Sequence, residues 1–256
     1  MKDDRIKNYR YFLKDSIRKT IAFQFTDQNQ GVPVPPIEKP YPEGAALIDL
    51  PGPDEWHGIP RADLTYAMGN RKSHRVYLEQ SLTLEELAYL LWCTQGVRGK
   101  RFQGHAYRTV PSAGCRHAFE TYLAIFNVDE IDPGVYRYLP LSHQLVFEFR
   151  DEMLSEEMIV ASLNQPYPGK SAVTFIWAAV PYRMEWRYGL AAHKVIALDA
   201  GHVCQNLYLA CEAIDAGTCA IAAYDQEKLD ELLGLDGDEE FVIYLAPVGK
   251  VKKRGG

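Results

Sequence analysis

Apolar residues after residue 83 follow the spacing of a helix. Thr83 and Glu86 match the capping box that starts many helices, and Gly96 is a residue at which helices commonly end. Three leucines between these points share one face: Leu84, Leu87 and Leu91. The pattern therefore predicts a helix between Thr83 and Gly96.

A longer helical pattern covers residues 194–216 and is followed by Gly217, a natural C-cap. Apolar residues occupy nearly all sides of this helix: Ile196, Leu198, Ala200, Val203, Cys204, Leu207, Leu209 and Ile214. A helix that is apolar all round belongs in the centre of a molecule or at a subunit interface.

Short apolar runs elsewhere indicate strands. We expect strands over 121–126, 173–180, 219–221 and 241–248, and a hairpin from 136–138 and 145–149. Ser155 is placed to cap a short helix over 156–163. Because helices and strands alternate irregularly and include a hairpin, the sequence predicts an α+β fold rather than a doubly wound parallel sheet.

The first 66 residues differ from the rest of the chain. Seven prolines between residues 33 and 53 exclude long helices and central strands there. We interpret residues 1–66 as an extended, proline-rich arm that packs onto a body formed by residues 67–256.

Composition and charge narrow the classes of function. The chain has 256 residues, and its net charge of −6 argues against a nucleic acid or an anionic membrane as the main partner. No apolar run approaches the ~18 residues of a membrane-spanning helix, and the start lacks the apolar segment of a signal peptide. The five cysteines form no C-x-x-C pair, so we expect buried free thiols in a reducing cytoplasm and no metal site. Neither a Rossmann turn nor a P-loop is present.

Three segments carry candidate chemistry. Residues 71–75 put four cationic or potentially cationic side chains and a hydroxyl together, which suits a phosphate, although a solvated basic turn has the same composition. Residues 111–114, Pro-Ser-Ala-Gly, let a backbone approach a flat ligand, or simply form a tight turn. Residues 217–225 begin with Gly-Thr-Cys-Ala-Ile, whose small residues fit either a ring edge or close strand–helix packing.

Taken together, these segments resemble one family. The order Arg-Lys-Ser-x-Arg, Pro-Ser-Ala-Gly, then Asp-Ala-Gly-His at 199–202, Gly-Thr-Cys-Ala-Ile and Val-Ile-Tyr-Leu-Ala-Pro-Val-Gly at 242–249 is similar to the SagB/ThcOx-type dehydrogenases of the nitroreductase superfamily. The resemblance covers about residues 64–249. It implies a mostly antiparallel central sheet flanked by helices, an intertwined homodimer, and FMN bound at the subunit interface.

The resemblance also assigns residues to the cofactor. One subunit would hold the ribityl phosphate and the pyrimidine edge with Arg71, Lys72, Ser73 and Arg75. The other subunit would line the ring with Pro111, Ser112, Ala113, Gly114 and Cys115. Ala222 and Ala223 would present N–H groups near the flavin N5, with Asn164 or Gln165 also reaching the ring, and the C-terminus would offer a basic residue to the phosphate, either Lys252 or Arg254.

One position departs from the family pattern. Azoline-oxidising members carry Lys-Tyr where this chain has Arg187-Tyr188. Since arginine stays protonated at neutral pH, Arg187 cannot act as a general base. We therefore expect Tyr188 to handle the proton and Arg187 to position a substrate, unless both residues merely pack an aromatic segment.

The sequence thus predicts an FMN-dependent oxidoreductase that acts on a peptide-derived or small-molecule substrate. Two alternatives stay open. One is a nitro- or quinone reductase that takes electrons from NAD(P)H. The other is a flavin-binding scaffold without turnover, serving as a partner protein in a biosynthetic complex.

Overall fold

A seven-stranded sheet forms the centre of the molecule in the computed structural model, which describes residues 4–102 and 104–252. The helices are α1 (Asp4–Leu13), α2 (Leu64–Asn70), α3 (Leu84–Gln95), α4 (Leu154–Ala161), α5 (Tyr182–Tyr188), α6 (Ala192–Ala213) and α7 (Gln226–Leu233). The strands are β1 (Leu47–Asp49), β2 (Val97–Phe102), β3 (His105–Arg108), β4 (Phe119–Ile125), β5 (Gly134–Leu139), β6 (Gln144–Phe149), β7 (Val173–Ala179), β8 (Ala216–Thr218) and β9 (Phe241–Lys250).

All strand pairs of the central sheet are antiparallel. The spatial order is β1-β6-β5-β4-β7-β9-β8, and β2 and β3 form a separate two-stranded hairpin. The fold is therefore α+β, with a mostly antiparallel central sheet flanked by helices, as the sequence predicts.

Helices cover the sheet on both faces. Alternate residues of β7 point to opposite sides: Phe175 and Trp177 pack in the core beneath α3 and α6, whereas Ile176 and Ala178 pack beneath α4 and α7. With both faces buried, the central strands need apolar residues at nearly every position. This explains why β4 and β7, which are buried along their whole length, are mostly apolar and do not alternate between apolar and polar residues.

The capping box predicted for α3 is present. The Thr83 side chain accepts the Glu86 N–H, and the Glu86 carboxylate accepts the Thr83 N–H. The hairpin and the strand beginning at Val173 are also observed, as β5–β6 and β7.

Three local predictions are wrong. Helix α6 ends at Ala213 rather than at 216, and Gly217 is not its cap but lies in β8, paired with Gly249 of β9. The predicted strand at 219–221 lies instead at 216–218. Ser155 does not cap α4, which begins at Leu154, because its hydroxyl donates to the Gly169 carbonyl at 2.7 Å.

The proline-rich segment is held by its backbone carbonyl groups. Its prolines leave carbonyls that no local helix or sheet satisfies. Three arginines of the body donate to them: Arg108 to Ile37 O (2.9 Å), Arg116 to Pro35 O (3.3 Å), and Arg137 to Lys39 O (2.9 Å) and Pro40 O (3.1 Å). Further along, β1 adds an edge strand to the sheet beside β6. The division into an arm and a body at residue 66 stays a prediction, and α2 runs across it.

Glu120 of β4 is the charge that this arrangement surrounds. It is 2% exposed and pairs with Arg137 at 3.4 Å and with Arg183 at hydrogen-bond distance. It also accepts the Lys39 N–H at 2.8 Å. The carboxylate therefore links the segment around Lys39, the sheet and α5.

Among the described helices, none combines the length and the apolar character needed to cross a bilayer.

Replacing Arg137 with methionine should lower the free energy of unfolding by about 3–5 kcal/mol, because Glu120 loses one of its two cations while staying buried. Urea denaturation measures the change. Arg150→Met is the matched control, since Arg150 is exposed, and it should stay within about 0.5 kcal/mol of the parent. Equal stability of the two variants would contradict this account of Glu120.

Candidate active site

The basic segment at residues 71–75 lies against β8. It follows directly from α2, and the His74 N–H donates to the Thr218 carbonyl at 2.9 Å. This approach requires a glycine at position 217, because a Cβ there would lie 2.6 Å from the His74 ring. The packing explains Gly217 better than a helix cap does.

Tyr208 of α6 joins the basic segment to the residues after β8. Its hydroxyl lies 2.9 Å from the Ser73 hydroxyl and accepts the Ala220 N–H at 2.9 Å. The Arg71 guanidinium stands over the Tyr208 ring, 5.1 Å from its centroid. Sequence reasoning missed Tyr208; the one available signal was a phenol between two leucines of a long helix.

A second set of contacts extends the same cluster. Arg75 stands 5.9 Å from the Tyr167 ring centroid, and the Tyr167 hydroxyl donates to the Gln165 side chain. Gln165 in turn donates to the Ala223 carbonyl at 2.9 Å. The structure therefore brings together Arg71, Ser73, Arg75, Gln165 and Ala223, while Lys72 is exposed in the same turn and Ala222 precedes Ala223.

Several polar groups in this cluster have no partner within residues 4–102 and 104–252. The Thr218 hydroxyl is buried and unpaired. The N–H groups of Ala222 and Ala223, both exposed residues, donate to no other described group. Cations, a hydroxyl and free amides together form a site that can hold an anionic, hydrogen-bonding ligand.

The Pro-Ser-Ala-Gly segment lies elsewhere, against the other half of α6. The Ala113 N–H donates to Asp199 at 3.1 Å, and the Ser112 hydroxyl accepts the His117 N–H at 3.0 Å. Burial raises the pKa of Asp199, while its hydrogen bonds to Ser112 and Ala113 act in the opposite direction. Asp199 thus anchors the segment that carries Pro111 and Cys115.

Burial, together with the charge of Arg108, lowers the pKa of His117 to about 2. Its ring is therefore neutral over the physiological pH range. Its ring nitrogen Nε2 lies 2.9 Å from the Ala106 carbonyl, so His117 holds the end of the segment rather than carrying charge.

Arg187 and Tyr188 contact this second segment. A Cβ on Gly114 would lie 2.6 Å from the Tyr188 hydroxyl and 3.2 Å from Arg187 Cδ, and Gly114 has a positive φ of 61°. The Arg187 guanidinium stands 5.6 Å from the Tyr188 ring centroid. The predicted catalytic pair and the predicted ring-lining segment are therefore neighbours.

The two groups of residues are separated along α6. Asp199 and Tyr208 are nine positions apart, which corresponds to about 13 Å at ~1.5 Å per residue. In one chain, the basic segment and the Pro-Ser-Ala-Gly segment therefore mark two distinct places.

Of the two C-terminal residues predicted to bind the phosphate, Lys252 lies among the described residues. Lys252 is exposed just beyond β9, where it lines a small cavity with Tyr66, His74 and Glu212. It lies on the same side as the basic segment. Arg254 lies outside the described residues.

The cysteines and acidic residues do not suggest a metal centre. All five thiols are free, three of them buried, and Cys93 and Cys115 are partly buried rather than buried as expected. No group of three His, Cys, Asp or Glu side chains among the described residues is placed to hold a metal ion.

Comparison with known proteins identifies relatives of the body. The model of the Nitroreductase family matches residues 68–250. A protein of Methanocaldococcus jannaschii named as a nitroreductase is 32% identical over 180 residues, which cover 70% of this chain and 87% of the relative.

Solved structures show the same fold. A nitroreductase of Ralstonia eutropha is 26% identical with a TM-score of 0.65, and the match covers 87% of this chain and all of that one. A nitroreductase of Anabaena variabilis is 25% identical with a TM-score of 0.63, covering 74% of this chain but only 38% of the longer Anabaena chain. The E. coli microcin synthetase complex McbBCD, solved with truncated pro-MccB17 bound, contains a chain with a TM-score of 0.59 at 17% identity, covering 82% of this chain and 80% of that one.

Proposed function

Since the chain belongs to the nitroreductase family and is thus an oxidoreductase, we propose that it is an FMN-dependent dehydrogenase of the SagB/ThcOx type. Its substrate is a peptide-derived or small molecule. The observation that carries the proposal is the cluster around Tyr208, which joins the basic segment to the free amides of Ala222 and Ala223.

The residues of this cluster fit FMN. Arg71, Lys72 and Arg75 supply cations for a terminal phosphate, and arginine can bind it bidentately. The buried, unpaired Thr218 hydroxyl and the two free N–H groups supply hydrogen bonds to a polar ring. Lys252, on the same side, is the C-terminal residue proposed for the phosphate; Arg254 remains a second candidate.

When bound, FMN accepts or donates a hydride at its N5 atom. The chain's own residues orient the ring and set its electrostatics. A cation of the basic segment would stabilise negative charge on the ring, and the N–H groups of Ala222 and Ala223 would be the donors for N5. Gln165, fixed by its bond to the Ala223 carbonyl, holds this loop in place.

The flavin site would be completed by a second subunit. Helix α6 leaves one face uncovered: Leu198 is 53% exposed, and no described atom beyond the helix backbone lies within 4 Å of the position a Cβ would take on Gly201. An exposed leucine beside a glycine on one helix face is suited to close packing against a copy of the same helix. In the proposed homodimer, Pro111, Ser112, Ala113, Gly114 and Cys115 of one protomer line the ring that the other protomer's basic segment holds.

Light scattering should show a dimer at micromolar concentration, and a stable flavin-loaded monomer would contradict the proposal.

Arg187 and Tyr188 then belong to the substrate side of the ring. We propose that Tyr188 relays the substrate proton and that Arg187 positions an anionic or carbonyl-bearing group. The closeness of the Arg187 guanidinium to the Tyr188 ring supports a shared place for the two side chains at one site. The contact of both side chains with Gly114 supports a place next to the ring-lining segment.

A specific observation also favours a second candidate function. Relatives that cover most of this chain are named as nitroreductases. An NAD(P)H-dependent reductase of nitro compounds or quinones would bleach its flavin rapidly with NAD(P)H under anaerobic conditions. A dehydrogenase that takes hydride only from its own substrate would not.

Arg71→Ala should weaken FMN binding by about 1.5–3 kcal/mol, the range for a hydrogen bond to a charged group. Flavin fluorescence titration measures the affinity. Arg61→Ala is the matched control, because Arg61 is exposed and precedes the N-terminus of α2. If both variants bind FMN as the parent does, Arg71 does not hold the phosphate.

Tyr188→Phe should slow the flavin half-reaction by about 10²–10⁴-fold, the usual worth of a general acid or base. Arg187→Ala should instead raise mainly the substrate concentration needed for half-maximal rate. Stopped-flow flavin absorbance separates the two effects, once each variant is shown to retain FMN. Turnover by Tyr188→Phe at the parent rate would remove the proton-relay role.

A further inference from the structure

A groove of about 300 Å³ lies between the N-terminal segment, here residues 20–27, and α5 with the residues that follow it. The N-terminal segment contributes Ile21, Phe25 and Asp27. The other side contributes Glu185, Gly189 and Leu190.

Two of these apolar side chains are unusually open to solvent. Phe25 is 69% exposed and Leu190 is 59% exposed. Exposed large apolar side chains that line a concave surface are suited to burying another apolar group. A volume of 300 Å³ is at the small end for a ligand site, so the groove suits one bulky part of a ligand rather than the whole of it.

The N-terminal wall of the groove is fixed to α5 by three hydrogen bonds. The Gln28 N–H donates to the Trp186 carbonyl at 2.9 Å, and the Trp186 indole donates to the Val32 carbonyl at 3.0 Å. The Tyr182 hydroxyl donates to Asp27 at 2.6 Å. Because α5 also carries Arg187 and Tyr188, groove and catalytic pair form one rigid unit.

The groove includes Gly189, the residue that follows the proposed proton relay Tyr188. Ile21 Cγ2 lies 3.7 Å from the position a Cβ on Gly189 would take. A group held against Ile21 therefore lies beside the backbone of the residue next to Tyr188.

The charge of the groove selects among apolar ligands. Within the described part of the chain, its charged lining residues are Asp27 and Glu185, and none is a lysine or an arginine. Both carboxylates already have a hydrogen-bond partner, Tyr182 for Asp27 and His193 for Glu185, which holds them in place. The groove thus favours a ligand that carries a cation beside its apolar group.

We propose that this groove is a subsite for a peptide substrate, in which a bulky apolar side chain is buried and an adjacent basic residue faces Asp27 and Glu185. The inference rests on the proposed function for the reaction at Tyr188. It deepens that proposal by naming a peptide with an apolar–basic pair as the substrate class.

Three short peptides test the subsite by direct binding. The probes are the N-acetylated, C-amidated tetrapeptides Gly-Phe-Arg-Gly, Gly-Ser-Arg-Gly and Gly-Phe-Glu-Gly, titrated into the purified full-length protein and followed by NMR. The Phe-Arg probe should bind about tenfold more tightly than the Ser-Arg probe, because the phenyl ring is removed from water. It should also bind more tightly than the Phe-Glu probe, and raised salt should narrow that difference. Equal affinity for all three probes would overturn the proposal.

Substitutions in the groove test whether the Phe-Arg probe binds there. Leu190→Ser should weaken the Phe-Arg probe about tenfold. Val160→Ser is the control, since Val160 is an exposed apolar residue of α4, on the opposite face of the sheet. Glu185→Gln, a change with little effect on shape, should reduce the preference for Phe-Arg over Phe-Glu. Parent-like behaviour of both Leu190→Ser and Glu185→Gln would place the binding elsewhere and reject the groove.

The same titrations, run with and without added FMN, separate this proposal from the proposed function. Flavin retention without discrimination among the probes rejects the groove alone. Discrimination without any flavin binding rejects the FMN-dependent reaction while the peptide subsite remains.

Discussion

One buried carboxylate, that of Glu120, determines how the outer parts of this molecule are attached to its sheet. An isolated charge at a 2% exposed position would be prohibitively costly, so Glu120 requires the two guanidinium groups of Arg137 and Arg183. Each arginine then brings a different element with it. Arg137 donates to the carbonyls of Lys39 and Pro40, and Arg183 begins the helix whose next turn carries Arg187 and Tyr188.

Through Glu120 and its two arginines, the N-terminal segment and the helix that carries Arg187 and Tyr188 are attached to the same point of the sheet. Arg116 strengthens the link: it donates to the carbonyls of Arg183 and Pro35, and its guanidinium stands 4.9 Å from the Trp186 ring centroid. The rest of the site depends on α6 instead, whose two halves hold the Pro-Ser-Ala-Gly segment through Asp199 and the basic segment through Tyr208. The proposed active site is thus built on two scaffolds, a buried ion network and a single long helix.

Sequence patterns correctly predicted the elements whose stabilising contacts lie close together in the chain. The capping box of α3 and the buried strand at Val173 involve residues close together in sequence, and both are observed. The failures involve distant partners. Gly217 resembles a helix cap, but a ring 143 residues earlier in the chain, that of His74, explains it. Ser155 was misread because its acceptor, Gly169 O, lies beyond the helix that it was expected to cap.

The candidate site shows the same division. The basic segment and the Pro-Ser-Ala-Gly segment are contiguous in sequence and could be recognised as motifs. Tyr208 could not be singled out, and Asp199 was recognised only as part of the Asp-Ala-Gly-His motif, since their roles arise from contacts across the fold. The buried arginines were likewise invisible as a set, because the carbonyls they bind belong to prolines and other residues without any distinguishing side chain.

The use of backbone carbonyl groups as hydrogen-bond acceptors affects which positions of this protein can change in sequence. The hydrogen bonds that Arg108, Arg116 and Arg137 donate to the N-terminal segment end on backbone carbonyl oxygens, which every amino acid possesses. Substitutions at Pro35 or Pro40 can therefore change the surface there while these hydrogen bonds remain. The wall beside α5 differs, because the Asp27 side chain takes part in its attachment to Tyr182. The proline-rich part of the N-terminal segment can therefore diverge in sequence, and with it the surface that meets a substrate, while its backbone stays bound to the sheet.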